Sequence, residues 1–267
     1  TAPASIRRIG ILISAAIGDT IVFSPLLKAL KKKLPQTEIV LFVGPSNKPC
    51  VSLLEGMDTI VDIDPHHFIA SAKRVRDSGK FDLWFDVGQW PRLNALLSFF
   101  ARSGFRVGFQ TAGQYRHFLY DRVVRHSSEI HEWQNFARLI RSTVDIEVDL
   151  PQLNIPAHPV RDQIVIHPFA GGAKPYLKEW PDIKWKKLVD HLTAQGHSIV
   201  LSAGTEDRDR AAELSQHFEQ RDRVQIIPKG TSLKELGVTM RESRLVISVN
   251  TGAMHLAAAL GVKTLGI

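Results

Sequence analysis

The sequence LVISVNTGAMHLAAALGVKTLGI, residues 245–267, contains a strand, a helix and the start of a second strand. Short aliphatic runs predict a strand over Leu245–Ser248 and the start of another over Lys263–Ile267. Between them, Ala253–Leu260 is predicted as a helix whose alanines permit close packing on a sheet. A unit of this kind predicts parallel strands covered by helices.

The same alternation extends upstream through the whole chain. Further strands are predicted over Arg8–Ser14, Glu38–Val43, Thr59–Ile63, Leu83–Asp86, Arg106–Phe109, Gln163–His167, Ser198–Ala203 and Val224–Ile227. Further helices are predicted over Asp19–Leu34, Lys48–Glu55, Phe68–Ser78, Arg92–Phe100, His131–Val144, Ile183–Gln195, Asp207–Phe218 and Ser232–Arg241. Repeated units of this type predict an α/β fold with parallel sheets.

A proline-rich segment divides the chain near its middle. Asp149–Pro159 reads DLPQLNIPAHP and shows no periodicity, so it is interpreted as a linker. The length of 267 residues also suits two domains, which we predict over residues 1–155 and 156–267. Because the sequence stops on an apolar run, the second domain is expected to continue beyond residue 267. Ligands of such sheets bind at the loops that follow the strands.

Composition narrows the class of protein. Apolar residues make up 44% and charged residues 23%, which is ordinary for a globular protein. No apolar stretch approaches the ~18 residues of a spanning helix, and no signal core is present, so a cytoplasmic protein is expected. The single Cys50 excludes an internal disulfide and a multi-cysteine zinc site.

The net charge of +7 favours anionic partners. Residues 92–141 hold eight arginines and three histidines against three acids. The segment is interpreted either as a surface for an acidic acceptor or an anionic membrane, or as a solvated basic surface. A nucleic-acid partner is not expected, because the basic residues form no known binding module and aromatics are sparse.

The loop after the first strand, SAAIGDT, carries Gly18 and Asp19. It lacks the glycines of a dinucleotide fingerprint, and the chain has no P-loop motif, which disfavours a dehydrogenase and excludes a P-loop nucleotide site. Asp19 is open to two interpretations. It could cap the first helix, or it could be an ionised carboxylate, held in that state by helix amides, that accepts a proton from a hydroxyl.

Three loops of the second half carry further candidate residues. Lys178, in the glycine-rich loop Pro168–Trp180, could neutralise a phosphate or be solvated. Glu206 could bind a ribose diol, while the neighbouring Asp207 could cap the next helix. The candidates of the third loop, SVNTGAMHLAAALG, precede or begin the last helix, whose free amides predict an anion site suited to a diphosphate. They are Asn250, Thr251, Gly252 and His255, the last of which could instead be structural.

These pieces together resemble family 9 glycosyltransferases, the ADP-heptose:lipopolysaccharide heptosyltransferases. The matching stretches are IGDTIVFSPLLKALKKKLP, FDLWFDV, IHPFAGGAKPYLKEWP and SVNTGAMHLAAALGVKTLGI. The resemblance implies a GT-B fold, in which two Rossmann-like domains face a central cleft. It places the acceptor in the N-terminal domain and the nucleotide sugar in the C-terminal domain.

The resemblance also implies inverting transfer of heptose from ADP-heptose to a lipopolysaccharide-core or related glycan, with no metal and no cofactor. Asp19, next to Gly18, resembles the family's general base, and Lys178 resembles its phosphate-binding lysine. Glu206 is similar to a ribose-binding acid. Thr251, Gly252 and His255 match the diphosphate loop, whereas Asn250 departs from the aspartate that is common in the family, which puts the donor's identity in doubt.

Two alternatives remain from the sequence. A nucleotide-sugar epimerase shares the fold but needs acid and base groups on both faces of the sugar, which we do not find. A non-catalytic protein that binds a nucleotide sugar or an anionic glycan would be consistent with Asn250, although Asp19 and Lys178 argue against it. If the basic segment of residues 92–141 binds an anionic membrane, the expected contact is peripheral, on the cytoplasmic face of the inner membrane.

Overall fold

The computed structural model describes residues 5–89, 92–156, 159–172 and 174–267. They form two compact units, which divide between Pro151 and Gln152, inside the proline-rich segment. Ala157 and His158 of that segment lie outside the described residues, as does Ala173 of the glycine-rich loop.

The first unit is built on a six-stranded parallel sheet. The unit contains eight strands, β1 (Arg8–Ile13), β2 (Glu38–Val43), β3 (Thr59–Asp62), β4 (Lys80–Phe81), β5 (Leu83–Asp86), β6 (Arg102–Ser103), β7 (Arg106–Gln110) and β8 (Arg122–Arg125). Of these, β4 and β6 form a separate two-stranded pair, and the other six form the main sheet. The order across the main sheet is β3-β2-β1-β5-β7-β8. If the short pair is set aside, this is the strand order 3-2-1-4-5-6 of a Rossmann fold.

Both faces of this sheet are covered by helices, which are α1 (Ile17–Lys33), α2 (Phe68–Asp77), α3 (Arg92–Phe100) and α4 (Glu132–Arg141). Alternate residues of β1 point to opposite faces, as strand geometry requires. Ile9 and Ile11 join the core under α1 and α4, whereas Leu12 joins the core under α2 and α3. Each fully buried aliphatic side chain contributes about 1.5–3 kcal/mol, which explains the continuous apolar run of β1.

The second unit repeats the plan with five parallel strands in the order β11-β10-β9-β12-β13. The strands are β9 (Arg161–His167), β10 (Ser198–Leu201), β11 (Val224–Ile226), β12 (Ser243–Ser248) and β13 (Thr264–Gly266). The helices are α5 (Asp182–Ala194), α6 (Arg208–Ser215), α7 (Leu233–Arg241) and α8 (Gly252–Ala259). Ile164 and Ile166 of β9 pack against Trp185 of α5.

Three local expectations are corrected by the structure. The helix predicted over Lys48–Glu55 is a 3-10 helix over Lys48–Leu53, because Cys50 and Leu53, three residues apart, are the residues that it buries. The edge strand β8 was not predicted, since its four residues RVVR hold only two apolar side chains. Helix α1 begins at Ile17, two residues earlier than expected.

Among the described residues, no helix combines the length and the apolarity that crossing a bilayer requires.

Candidate functional site

Each sheet has a topological switch point, here called the crossing, where two adjacent strands lead into helices on opposite faces of the sheet. In the first unit, β1 leads into α1 on one face and β5 leads into α3 on the other. In the second unit, β9 and β12 are the corresponding neighbours. Open α/β sheets bind ligands outside the carboxyl ends of such strands. The candidate sites are therefore the loops that follow these four strands, and each unit is described by itself.

Asp19 lies in the first turn of α1, directly after β1. The helix cap is Ala16, whose carbonyl oxygen accepts hydrogen bonds from the amide and hydroxyl of Thr20. The interpretation of Asp19 as the N-cap is therefore wrong. Gly18 beside it is buried, and Asp19 itself is half-buried at the carboxyl edge of the sheet.

Burial raises the pKa of the Asp19 carboxyl above its ordinary value, and the nearby carboxylate of Glu132 raises it further. A hydrogen bond from the Ala16 amide lowers the same pKa by a smaller amount. The sequence-based expectation that helix amides dominate is thus corrected, because desolvation and a like charge outweigh them. A carboxylate with a raised pKa is a stronger base, which suits proton abstraction.

A buried polar cluster lies beneath the loop that follows β5. The side chains of Asp86 and Arg116 form an ion pair with no exposed surface. The Asp86 carboxylate also accepts hydrogen bonds from Tyr120 Oη at 2.6 Å and from the Gly88 amide at 3.1 Å. Burial raises the pKa of Asp86 in spite of Arg116, whose own pKa is raised by Asp86. The cluster fixes the loop after β5 at the topological crossing.

The arginine-rich segment of residues 92–141 mostly serves the fold. Five of its eight arginines donate hydrogen bonds to backbone carbonyls or to Asp86. These five are Arg92, Arg106, Arg116, Arg122 and Arg141. Only Arg102, Arg125 and Arg138 remain as exposed residues without such a bond to the described part of the chain. Arg92 and Arg141 are exposed as well, so five of the eight arginines remain on the surface of this segment, and only Arg116 is buried.

In the second unit, the loop after β12 leads directly into α8. Thr251 is the N-cap, with extended backbone angles (φ −153°, ψ 173°), and its side chain makes no capping bond. Asn250 before it is exposed, while Gly252 and His255 are half-buried in the first turn. The four residues predicted for an anion site are thus gathered at one helix start, where backbone amides favour negative charge.

The helices differ in whether a side chain caps their first turn; α2 and α6, for example, have no such cap. Helices α4 and α7, which follow the edge strands β8 and β11, have complete capping boxes, formed by His131 with Gln134 and by Ser232 with Glu235. Helices α1, α5 and α8 begin at the crossings, and none of the three has a side-chain cap. Their first amides are therefore available to a ligand, whereas those of α4 and α7 are used within the protein.

Lys178 lies in the loop after β9, and its exposed side chain forms no ion pair with any described residue. The next residue, Glu179, holds this loop in place. Its carboxylate accepts a hydrogen bond from the Ala170 amide at 2.8 Å and pairs with Arg210 of α6 at 2.6 Å. Arg210 also pairs with Asp207 at 2.7 Å. This Glu179–Arg210–Asp207 tether joins the loop after β9 to the loop after β10.

Glu206 lies in a 3-10 turn within the loop after β10, and its side chain is exposed. The neighbouring Asp207 occupies the N-cap position of α6 but makes no capping bond with its side chain. Asp207 also acts electrostatically on His167 at the end of β9. Of the two acids, Asp207 is thus the one with contacts toward the crossing. Sequence reasoning assigned neither His167 nor Arg210 to the site.

His167 is buried at the carboxyl end of β9, where its Nδ1 lies 2.8 Å from Ser202 Oγ. Burial lowers its pKa to about 4, although the charge of Asp207 opposes the shift. The imidazole is therefore neutral at pH 7. Its location at the crossing makes it a further candidate for ligand contact.

This pKa shift predicts an acid-sensitive contribution to stability. The unfolded chain protonates His167 near its ordinary pKa of 6.5, whereas the folded protein resists protonation down to about pH 4. Stability is therefore lost as the pH falls through this window, by about 3 kcal/mol from this group. The free energy of unfolding is measured with urea at about pH 7 and at about pH 4. We expect the difference between the two values to be smaller in His167→Asn than in the unmodified protein, by the contribution of this group.

The exposed His217 of the same unit provides the control, because His217→Asn should keep the pH dependence of the unmodified protein. An unchanged pH dependence in His167→Asn would show that this imidazole does not resist protonation.

Comparison with known proteins identifies the family. The sequence profile of glycosyltransferase family 9 (heptosyltransferase) matches residues 81–267, which is more than half of the chain. The chain belongs to glycosyltransferase family 9. A curated relative, lipopolysaccharide heptosyltransferase 1 of Pseudomonas aeruginosa, is 32% identical over 100 residues, which are 37% of this chain. The matched segment spans about a quarter (27%) of that relative's length.

Solved structures of heptosyltransferases share the fold of this family 9 member. The structure described as E. coli heptosyltransferase WaaC with ADP-2-deoxy-2-fluoro heptose matches with a TM-score of 0.79 and 20% identity. The match covers 97% of this chain and 88% of WaaC. E. coli ADP-heptose lps heptosyltransferase II matches with a TM-score of 0.80 and 18% identity over 98% and 84% of the two chains. The resemblance and the GT-B fold class predicted from the sequence are confirmed.

Proposed function

We propose that the protein transfers a sugar, heptose, from ADP-heptose to a lipopolysaccharide-core or related glycan by inverting, metal-independent displacement. The observation that carries the proposal is the uncapped start of α8 at the crossing of the second sheet, in a chain of family 9. Among the described helix starts at the crossings, those of α1, α5 and α8 lack side-chain caps, and the start of α8 also carries Thr251, Gly252 and His255.

In the proposed donor complex, the amides at the start of α8 bind the diphosphate, and Lys178 neutralises its charge. The ADP-heptose derivative named with WaaC supports this choice of nucleotide. Glu206 and Asp207 lie on the loop that would hold the ribose, and the ion pair between Asp207 and Arg210 fixes this loop. Charge that develops on the leaving diphosphate is thereby stabilised by groups already in place.

The proposed reaction is a direct displacement at the anomeric carbon. The acceptor hydroxyl oxygen forms a bond to that carbon while the bond from the carbon to the diphosphate oxygen breaks. Asp19 takes the hydroxyl proton, and the nucleoside diphosphate leaves with the bonding electron pair. The raised pKa of Asp19 supports its role as the base.

The donor assignment is tested by thermal-shift measurements with ADP, UDP and GDP. We expect ADP to produce the largest stabilisation, about 2.7 kcal/mol when its concentration is about 100 times its dissociation constant. Lys178→Ala should weaken this response because it removes a positive charge from the diphosphate.

The matched control is Lys187→Ala, which removes the same charge from an exposed position on α5. A preference for UDP or GDP would contradict the donor, and the absence of any response would contradict nucleotide binding altogether. ADP-heptose binding with no transfer to any glycan would favour the non-catalytic alternative, which the unusual Asn250 suggests.

A further inference from the structure

A second carboxylate lies beside Asp19 in the first unit. Helices α1 and α4 pack through Phe23 and Phe136, whose ring centroids lie 5.6 Å apart in an edge-to-face contact. Asp19 precedes Phe23 by four residues, and Glu132 precedes Phe136 by four, so each carboxylate lies one helical turn before the aromatic contact. Both therefore lie where the two helices begin, at the carboxyl edge of the sheet.

Among the described residues, only one of the two carboxylate oxygens of Glu132 has hydrogen-bond partners. Its Oε2 accepts hydrogen bonds from His126 Nε2 at 2.9 Å and from Asn135 Nδ2 at 3.2 Å. Asn135 is fully buried and is itself fixed by both backbone groups of Ser127. The other oxygen, Oε1, is buried without a hydrogen-bond partner among the described residues.

The anchors of Glu132 are rigid. The His126 ring packs edge-to-face on Phe109 of β7, with centroids 5.4 Å apart, and only 11% of its side chain is exposed. A charge placed in this way could serve merely to stabilise the start of α4, because acids favour helix N-termini. That role leaves the unpartnered Oε1 and the electrostatic action on Asp19 unexplained.

We propose that Glu132, fixed by His126 and Asn135, is a positioning residue that keeps a negative charge beside Asp19 and so favours uptake of the acceptor proton there. This inference rests on the proposed role of Asp19 as the base. In physical terms, a like charge close to a carboxylate disfavours its ionised form. We therefore expect Glu132 to make Asp19 a stronger base and to leave the binding of the donor unchanged.

Other titratable groups packed against the start of α1 do not replace Glu132. The 3-10 helix Lys48–Leu53 contributes Cys50, whose Sγ lies 3.7 Å from the Ile17 carbonyl oxygen. Burial raises the pKa of this thiol to about 12, so it is neutral at pH 7. Lys48 of the same turn is paired with Asp62.

The test measures the pKa of Asp19 directly, by carbon NMR of its carboxyl group, with Asp19→Asn identifying the resonance. We expect Glu132→Gln to lower this pKa and Glu132→Asp, which keeps the charge, to leave it close to that of the unmodified protein. In transfer assays, the acidic limb of the kcat/KM profile should move to lower pH in Glu132→Gln, with KM for the donor unchanged.

Glu129→Gln removes the same charge from an exposed position of the preceding loop and should change neither measurement. An Asp19 pKa that is the same in Glu132→Gln and the unmodified protein would overturn the inference. Failure of the unmodified protein to transfer any sugar would instead refute the proposed function, while the NMR comparison would still decide whether Glu132 acts on Asp19.

Discussion

Replacement of Asp19 by asparagine is expected to lower the rate of transfer by about 10²–10⁴-fold, the usual contribution of a general base. Asparagine keeps the shape of the side chain but cannot take the acceptor proton. Donor binding should be unaffected, because the proposed donor groups belong to the second unit. The decisive measurements are single-turnover transfer and ADP affinity in the same preparation, and Asp19→Ala should behave alike.

The same substitution should make the protein more stable at neutral pH. Because the pKa of Asp19 is raised in the folded protein, folding is disfavoured as the pH rises through the window between the ordinary and the raised pKa. Asp19→Asn removes that cost, so its melting temperature at pH 7 should exceed that of the unmodified protein.

Asp145→Asn, at an exposed position of the first unit, is the matched control and should alter neither rate nor melting temperature. Near-normal transfer by Asp19→Asn would show that the base lies elsewhere.

Replacement of Arg116 by methionine is expected to lower the free energy of unfolding by about 3–5 kcal/mol, the usual effect of removing one partner from a buried ion pair. Asp86 would keep its hydrogen bonds from Tyr120 and Gly88 but would lose the cation that offsets its burial. Urea unfolding at pH 7 measures the loss. Without Arg116 the pKa of the buried Asp86 carboxyl is raised further, so the stability of the variant should fall more steeply than that of the unmodified protein as the pH rises.

The control for this prediction is Arg138→Met on α4, where the side chain is exposed and a change within about 0.5 kcal/mol is expected. Equal stability of the Arg116 and Arg138 variants would mean that the Asp86–Arg116 pair contributes little to the fold.

Most elements of the two sheets were predictable because their apolar runs are long and clearly bounded. The bounds of β2, β5 and α3 agree with the sequence prediction. The start of α1 was misjudged because helix starts are recognised by capping side chains, and Ala16 has none. Edge strand β8 escaped notice for a related reason, since half of its side chains are arginines and only one of its two valines, Val124, packs against the core.

The polar arrangements could not be predicted, because their members are far apart in the chain. Asp86 meets Arg116 across 30 residues, and Glu179 meets Arg210 across 31. No local pattern marks such a pair, since either residue alone reads as a solvated charge. Likewise, His167 was visible only as the last residue of a strand, and its burial is a property of the whole sheet.

The uncapped starts of α1 and α8 have a consequence for any attempt to engineer a more heat-resistant variant. A side-chain cap contributes about 1 kcal/mol, so Ala16→Ser would be an obvious choice for thermostabilisation. Its hydroxyl, however, would engage an amide at the very edge where the candidate base lies. A side-chain cap at the start of α8, which begins after Thr251, would in the same way compete with a bound anion for the backbone amides. Resistance to heat and access for ligands are therefore opposing demands on the same few backbone amides, and optimisation is better directed at the remaining helices.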